Sequence, residues 1–115
     1  MFDEDQIKVH SEQRGDATIL APEGDIDLGR SPTLRNSLKQ VQSSKPARLV
    51  VDLARVDYMD SSGVATLVEA LQLARRNKTE MVLCCMQERV RSIFEIARLD
   101  TVFKIAPDVD SALQV

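Results

Sequence analysis

The chain has 115 residues, 29% of them charged and 43% hydrophobic, with 18 acidic against 15 basic side chains and a formal net charge of −3. That length supplies one core and not two, so a single domain over residues 1–115 is expected. Scattered charges of both signs and apolar runs of only a few residues argue against nucleic-acid binding and against direct membrane insertion. The start Met1-Phe2-Asp3-Glu4-Asp5 is acidic where a secretory leader would be basic and then apolar, so the chain is expected in the cytoplasm.

In chain order, Ile7 and Val9 alternate with polar neighbours, and Ala17, Ile19 and Ala21 do so again after Arg14-Gly15-Asp16. This is the pattern of a hairpin of half-buried strands. The second strand is expected to stop at Pro22-Glu23-Gly24, where proline removes a ladder donor and glycine permits a turn. A short acidic connection, Asp25-Ile26-Asp27-Leu28-Gly29-Arg30, leads to Ser31-Pro32, which reads as an N-cap followed by proline at the first helical position. Leu34, Leu38 and Val41 give that helix its apolar stripe, and Ser43-Ser44-Lys45-Pro46 ends it. Leu49 to Leu53 reads as a buried strand, and Val64, Leu67, Val68, Leu71 and Ala74 as an amphipathic helix that fades at Arg75-Arg76-Asn77-Lys78. Met81 to Cys85 is a second buried strand, Val90, Ile93, Phe94 and Ala97 a third helix, and Val102 to Ile105 a last strand. Asp108 is placed to cap a final short helix through Leu113.

The order β-β-α-β-α-β-α-β-α predicts an α/β fold. Its sheet of about five strands is mostly parallel beyond the N-terminal hairpin and carries about four helices. In open sheets of this kind sites gather at the carboxyl ends of the strands, where the loops 22–30 and 57–63 both lie. The two cysteines, Cys84 and Cys85, are adjacent, so on a strand they are expected to point to opposite faces and to stay reduced in the packing. A redox or metal role would need more ligands, and His10 is the sole histidine.

The most informative stretch is Met59-Asp60-Ser61-Ser62-Gly63, at a strand-to-helix junction. Asp and Ser cap helices because their oxygens accept from the unpaired N–H groups of the first turn, and one such side chain suffices. Here Asp60, Ser61, Ser62 and Gly63 are stacked at one junction, more than capping needs. Serine hydrolysis is not expected, since nothing places His10 beside Ser61 and Met59 stands where a G-x-S-x-G elbow has its first glycine. No phosphate-cradling glycine loop is present, and the calcium-like Asp25, Asp27 and Gly29 lack the remaining ligands. A receiver-like aspartyl phosphate on Asp52 or Asp60 would require an opening βα order, not a hairpin. No enzyme activity, metal or cofactor is expected.

The segment from Leu49 through Val64, with Asp60-Ser61-Ser62-Gly63 at its centre, resembles the signature of STAS domains, in particular the bacterial anti-sigma factor antagonists. Gly24-Asp25-Ile26-Asp27 resembles that family's second motif, and the element order fits over essentially the whole chain. The resemblance implies that Ser61 is phosphorylated by an anti-sigma factor that is itself a GHKL-type serine kinase, and that a serine phosphatase reverses this. It further implies that Asp25, Asp27, Asp60, Ser62 and Gly63 form the switch loop and partner-binding surface. Unphosphorylated protein would hold the anti-sigma factor and free sigma. STAS domains also serve as accessory subunits of lipid-transport ABC systems, often with altered serines, whereas the pair is intact here. One departure lies at Asn77-Lys78-Thr79, where relatives often carry glycines.

Overall fold

The computed structural model describes residues 7–115, and the acidic start from Met1 to Asp5 lies outside them. Strands β1 (Lys8–Arg14) and β2 (Ala17–Glu23) pair antiparallel from Lys8 opposite Glu23 to Arg14 opposite Ala17. Gly15 takes φ +62 in the connecting turn, a conformation glycine adopts without a steric penalty. β2 ends at Glu23, within the expected Pro22-Glu23-Gly24 stop, and pairs through the proline on its β1 side. Its parallel ladder to the next strand ends at Leu20, so proline's missing donor costs that ladder nothing, and β1 carries the pairing on to Glu23.

The chain continues as α1 (Ser31–Gln42), β3 (Arg48–Asp52), α2 (Ser61–Asn77), β4 (Glu80–Cys84), α3 (Glu88–Ile96), β5 (Lys104–Ala106) and α4 (Val109–Ala112). The five strands lie in the order β1-β2-β3-β4-β5, parallel from β2 onward. The last strand is shifted from the expected one: Val102 and Phe103 sit in the preceding turn, and Phe103 packs edge-on against Phe94 with centroids 5.6 Å apart. That contact takes the aromatic ring out of the sheet register and into the helix layer.

Side chains alternate across the central strands as a period of two requires. Leu20, Leu49, Val51, Met81 and Leu83 face a layer formed by Leu34 and Leu38 of α1, Leu67 and Leu71 of α2, and Phe94 of α3. Ile19, Val50, Val82 and Cys84 face the other way, where the short α4 covers them with Ala112. Arg48 fastens that cover by donating from Nη1 to the Ala112 carbonyl at 3.1 Å. At the end of α2, Lys78 itself takes the left-handed conformation at φ 60, one that glycine adopts most readily, and its N–H reaches the Ala74 and Arg75 carbonyls.

The cysteines also depart from expectation. Cys84 closes β4 and is fully buried, but Cys85 turns out of the strand at φ +63. The two thiols therefore do not diverge across the sheet; their Sγ atoms lie 3.5 Å apart. Burial pushes both thiols above the usual cysteine range.

Candidate functional site

Beyond β3 the chain crosses to α2 through residues 53–60, and Leu53, Val56 and Met59 pin this crossing by complete burial. The loop after β2 is laced onto it. Gly24 N donates to the Arg55 carbonyl at 3.0 Å, Ile26 N to the Tyr58 carbonyl at 2.9 Å, and Asp60 N to the Ile26 carbonyl at 3.0 Å. Ile26 and Met59 thus form a parallel bridge that extends the β2–β3 pairing past the strand ends. The two sequence motifs, far apart in the chain, become one unit of backbone.

At its head stands Asp60, the N-cap of α2, with extended backbone. Its Oδ1 accepts from Ser62 N at 2.9 Å, from Gly63 N at 3.4 Å and from the Ser62 hydroxyl at 2.5 Å. The Ser62 hydroxyl, foremost, and the N–H groups of Ser62, Gly63 and Leu28 hold the Asp60 carboxyl below its usual range, against the opposing effect of burial. Gly63 is needed for space. A β-carbon there would meet Met59 Cγ at 2.5 Å and Ile26 Cγ2 at 2.8 Å.

The two serines have different surroundings. Ser62 is half-buried and turns inward, where its Oγ lies 2.7 Å from the Ser31 Oγ at the start of α1. Ser31 Oγ in turn donates to the Asp27 carbonyl at 2.8 Å. Two hydroxyl protons serve three short contacts, Asp60–Ser62, Ser62–Ser31 and Ser31–Asp27, so only two of these are hydrogen bonds at any instant. Ser61, the first residue of the helix, is exposed and its hydroxyl has no partner among the described residues.

Asp25 is exposed beside this unit. Asp27 does not point its charge at the serines as a free acid, since its Oδ2 accepts from Arg30 Nη1 at 2.7 Å and its Oδ1 from Arg30 N at 3.1 Å. Ser31 is not the N-cap of α1; Arg30 is, and Ser31 is a buried first-turn residue. Flanking the junction, Leu28 is 76% exposed and Tyr58 45% exposed. Ser31, Arg30, Leu28 and Tyr58 are thus additional members of the site. The only sequence signal for them was their position inside or beside the two motifs.

Chemically the site offers a single accessible hydroxyl at the positive end of a helix of 17 residues. The sole histidine, His10, is on β1, with Nε2 3.0 Å from Glu23 Oε1. Added charge on Ser61 would sit at the positive end of the α2 dipole, where anions are favoured, although the Ser62 and Gly63 N–H groups are already taken by Asp60.

Residues 8–112 match the STAS domain family. The anti-sigma-B factor antagonist of Listeria monocytogenes is 33% identical over 82 residues, spanning 71% of this chain and 72% of that protein. The anti-sigma-B factor antagonist of Staphylococcus aureus is 27% identical over 82 residues, 71% of this chain and 76% of the relative. A crystal structure of an anti-sigma factor antagonist from Mycobacterium paratuberculosis superposes with a TM-score of 0.87 at 24% identity, over 96% of this chain and 93% of that chain, which establishes the shared fold.

Proposed function

This chain belongs to the STAS domain family, and we propose that within it the chain acts as an anti-sigma factor antagonist whose binding is switched off by phosphorylation of Ser61. The partner is an anti-sigma factor with GHKL-type serine kinase activity, a serine phosphatase resets the switch, and the exchange takes place in the cytoplasm. The names of its relatives support the antagonist role. The observation that carries the choice of serine is the contrast within the pair: Ser62 is engaged by Asp60 and Ser31, while Ser61 stands exposed. A kinase reaches Ser62 only by breaking those contacts, whereas Ser61 is open to it.

Phosphorylation adds about −1.5 to −2 charges at neutral pH. The helix start accommodates that charge, so the fold survives and the effect falls on the interface. There the dianion joins exposed Asp25 and the Asp60 carboxylate, and a partner surface made for a neutral hydroxyl must desolvate it. Each loss of about 1.4 kcal/mol is tenfold in affinity, so a few such increments separate bound from free. Asp25, Asp27, Asp60, Ser62 and Gly63 shape the docking loop, with Asp27 acting through its pair with Arg30. The role is binding, not catalysis.

The test is affinity capture from a lysate of the source organism with wild type, Ser61→Ala and Ser61→Glu as baits. A GHKL-type kinase is expected on the first two and not on the third. Retention of the kinase by Ser61→Glu with undiminished affinity would sink the charge switch. Retention of an ABC ATPase by all three baits would make the chain a transporter accessory subunit instead.

A further inference from the structure

On the opposite face of the sheet from the serines, the carboxyl ends of β3 and β4 bring Asp52 and Cys84 into direct register. Side chains opposite one another on paired strands share a face. Cys85 then leaves the strand in the left-handed region at φ +63, which is uncommon for a residue with a β-carbon and marks a local constraint. Its effect is to swing the second thiol back beside the first, 3.5 Å away. One carboxylate oxygen of Asp52 and the two Sγ atoms all lie within 4.8 Å of one another.

The backbone around this cluster is tied on both sides. Leu53 N donates to the Cys84 carbonyl at 2.9 Å, Cys85 N to the Ala106 carbonyl at 3.4 Å, and Asp52 Oδ1 accepts from Ala54 N at 3.0 Å. Three strands therefore hold the three donors in place before any ligand arrives. Among the described residues no other trio of histidine, cysteine and carboxylate side chains converges in this way.

We propose that Asp52, Cys84 and Cys85 form a site for a soft divalent cation of the zinc type, with two sulfur ligands, one oxygen ligand and a fourth position left to water. Sulfur donors select such an ion over magnesium or calcium. Sulfurs 3.5 Å apart, each about 2.3 Å from the ion, subtend roughly 100° at it, close to the tetrahedral preference of zinc. On binding, each thiol releases its proton to solvent as its sulfur–metal bond forms, so two thiolates and one carboxylate surround a dication. A disulfide explains the geometry less well. Consecutive Cα atoms stand about 3.8 Å apart across a trans peptide, inside the roughly 4.4 Å at which ordinary disulfides begin. Asp52 also lines a surface cavity of about 230 Å³ together with His10, Glu12 and Arg14, the last two already paired to each other at 2.8 Å.

The full chain, reduced with a phosphine and free of chelator, would be titrated with Co(II) as a coloured stand-in and then with Zn(II). A thiolate-to-cobalt charge-transfer band saturating at one ion per chain, and abolished by Zn(II), is the expected result. Cys85→Ser and Asp52→Asn, both at partly exposed positions that the fold tolerates better than a change at Cys84, are the decisive variants. Losing a direct ligand should weaken Zn(II) binding beyond the roughly 10–100-fold typical of outer-shell changes. Absence of the band at millimolar Co(II), a band undiminished in Cys85→Ser, or saturation at one ion per two chains would each overturn the site.

Discussion

At the scale of single residues the α2 junction is built from opposite demands on neighbours. Gly63 shows the steric one. Alanine would favour the helix by about 1 kcal/mol, yet its β-carbon would stand 2.5 Å from Met59 Cγ and 2.8 Å from Ile26 Cγ2, both in fully buried side chains. Overpacking of this kind costs about 1–3 kcal/mol and more where backbone must also shift, and the Ile26 carbonyl is only 3.3 Å away. We therefore expect Gly63→Ala to lose about 1–2 kcal/mol net by urea denaturation; an unchanged or raised midpoint would show that the Ile26–Met59 bridge yields freely. Asp60 shows the electrostatic demand. Its folded carboxyl is held down chiefly by the Ser62 hydroxyl, so the unfolded chain, near about 3.9, binds the proton more readily. The stabilisation is present in full above the unfolded value and is lost as pH falls through the lower folded value. Asp60→Asn keeps a capping oxygen but loses the charge-assisted bonds, and should be less stable than wild type by on the order of 1 kcal/mol at pH 7. The two stability curves should converge once pH falls below the lowered folded value. A gap that stays constant with pH would mean that the cap works by shape alone.

Elements were legible where periodicity and caps speak locally, and not where a distant contact decides. The hairpin, the two buried strands to within a residue at each end, and the Asp108 cap of α4 stand where the residue pattern puts them, and of the polar residues stacked at the α2 junction Asp60 is the cap. Ser31-Pro32 was misread by one position because Asp27 and Arg30 already form a turn: Ser31 N donates to the Asp27 carbonyl at 2.8 Å, which starts the helical path before the serine. Proline is tolerated just before the end of β2 because only the β1 side is still paired there, a fact the residue pattern does not carry. Adjacent cysteines looked divergent because alternation assumes an extended backbone, and a left-handed residue at the strand end cancels it. The same limit applies to the site. Asp60, Ser61, Ser62 and Gly63 are contiguous and could be read together, but the inward turn of Ser62 depends on Ser31, which reaches it only once α1 and α2 pack side by side. What separates an engaged serine from an available one is therefore a tertiary fact, though the motif names both.

For the whole molecule the question is how far a charge on Ser61 travels. One view is that phosphorylation loosens the domain; the architecture favours a confined effect. The helix layer and sheet meet in a continuous core that includes Leu20, Val51, Leu67, Leu83 and Phe94, and Ser61 contributes nothing to it. The groups that would feel a new anion are the first turn of α2, the Asp60 cap and the loop laced to it through Ile26 and Leu28. Negative charge at that helix end is stabilising by about 0.3–1 kcal/mol, which opposes its repulsion from Asp60 and Asp25. Hydrogen exchange followed by mass spectrometry on wild type and Ser61→Glu tests this directly. Altered protection is expected only in peptides covering residues 24–31 and 58–66, with β3, β4 and the second half of α2 exchanging at the same rate in both forms, because global opening depends on a core the charge does not touch. Faster exchange throughout the sheet in Ser61→Glu would instead mean that the switch acts by destabilising the domain. Loss of partner binding would then be a consequence of unfolding and not of a repelled interface.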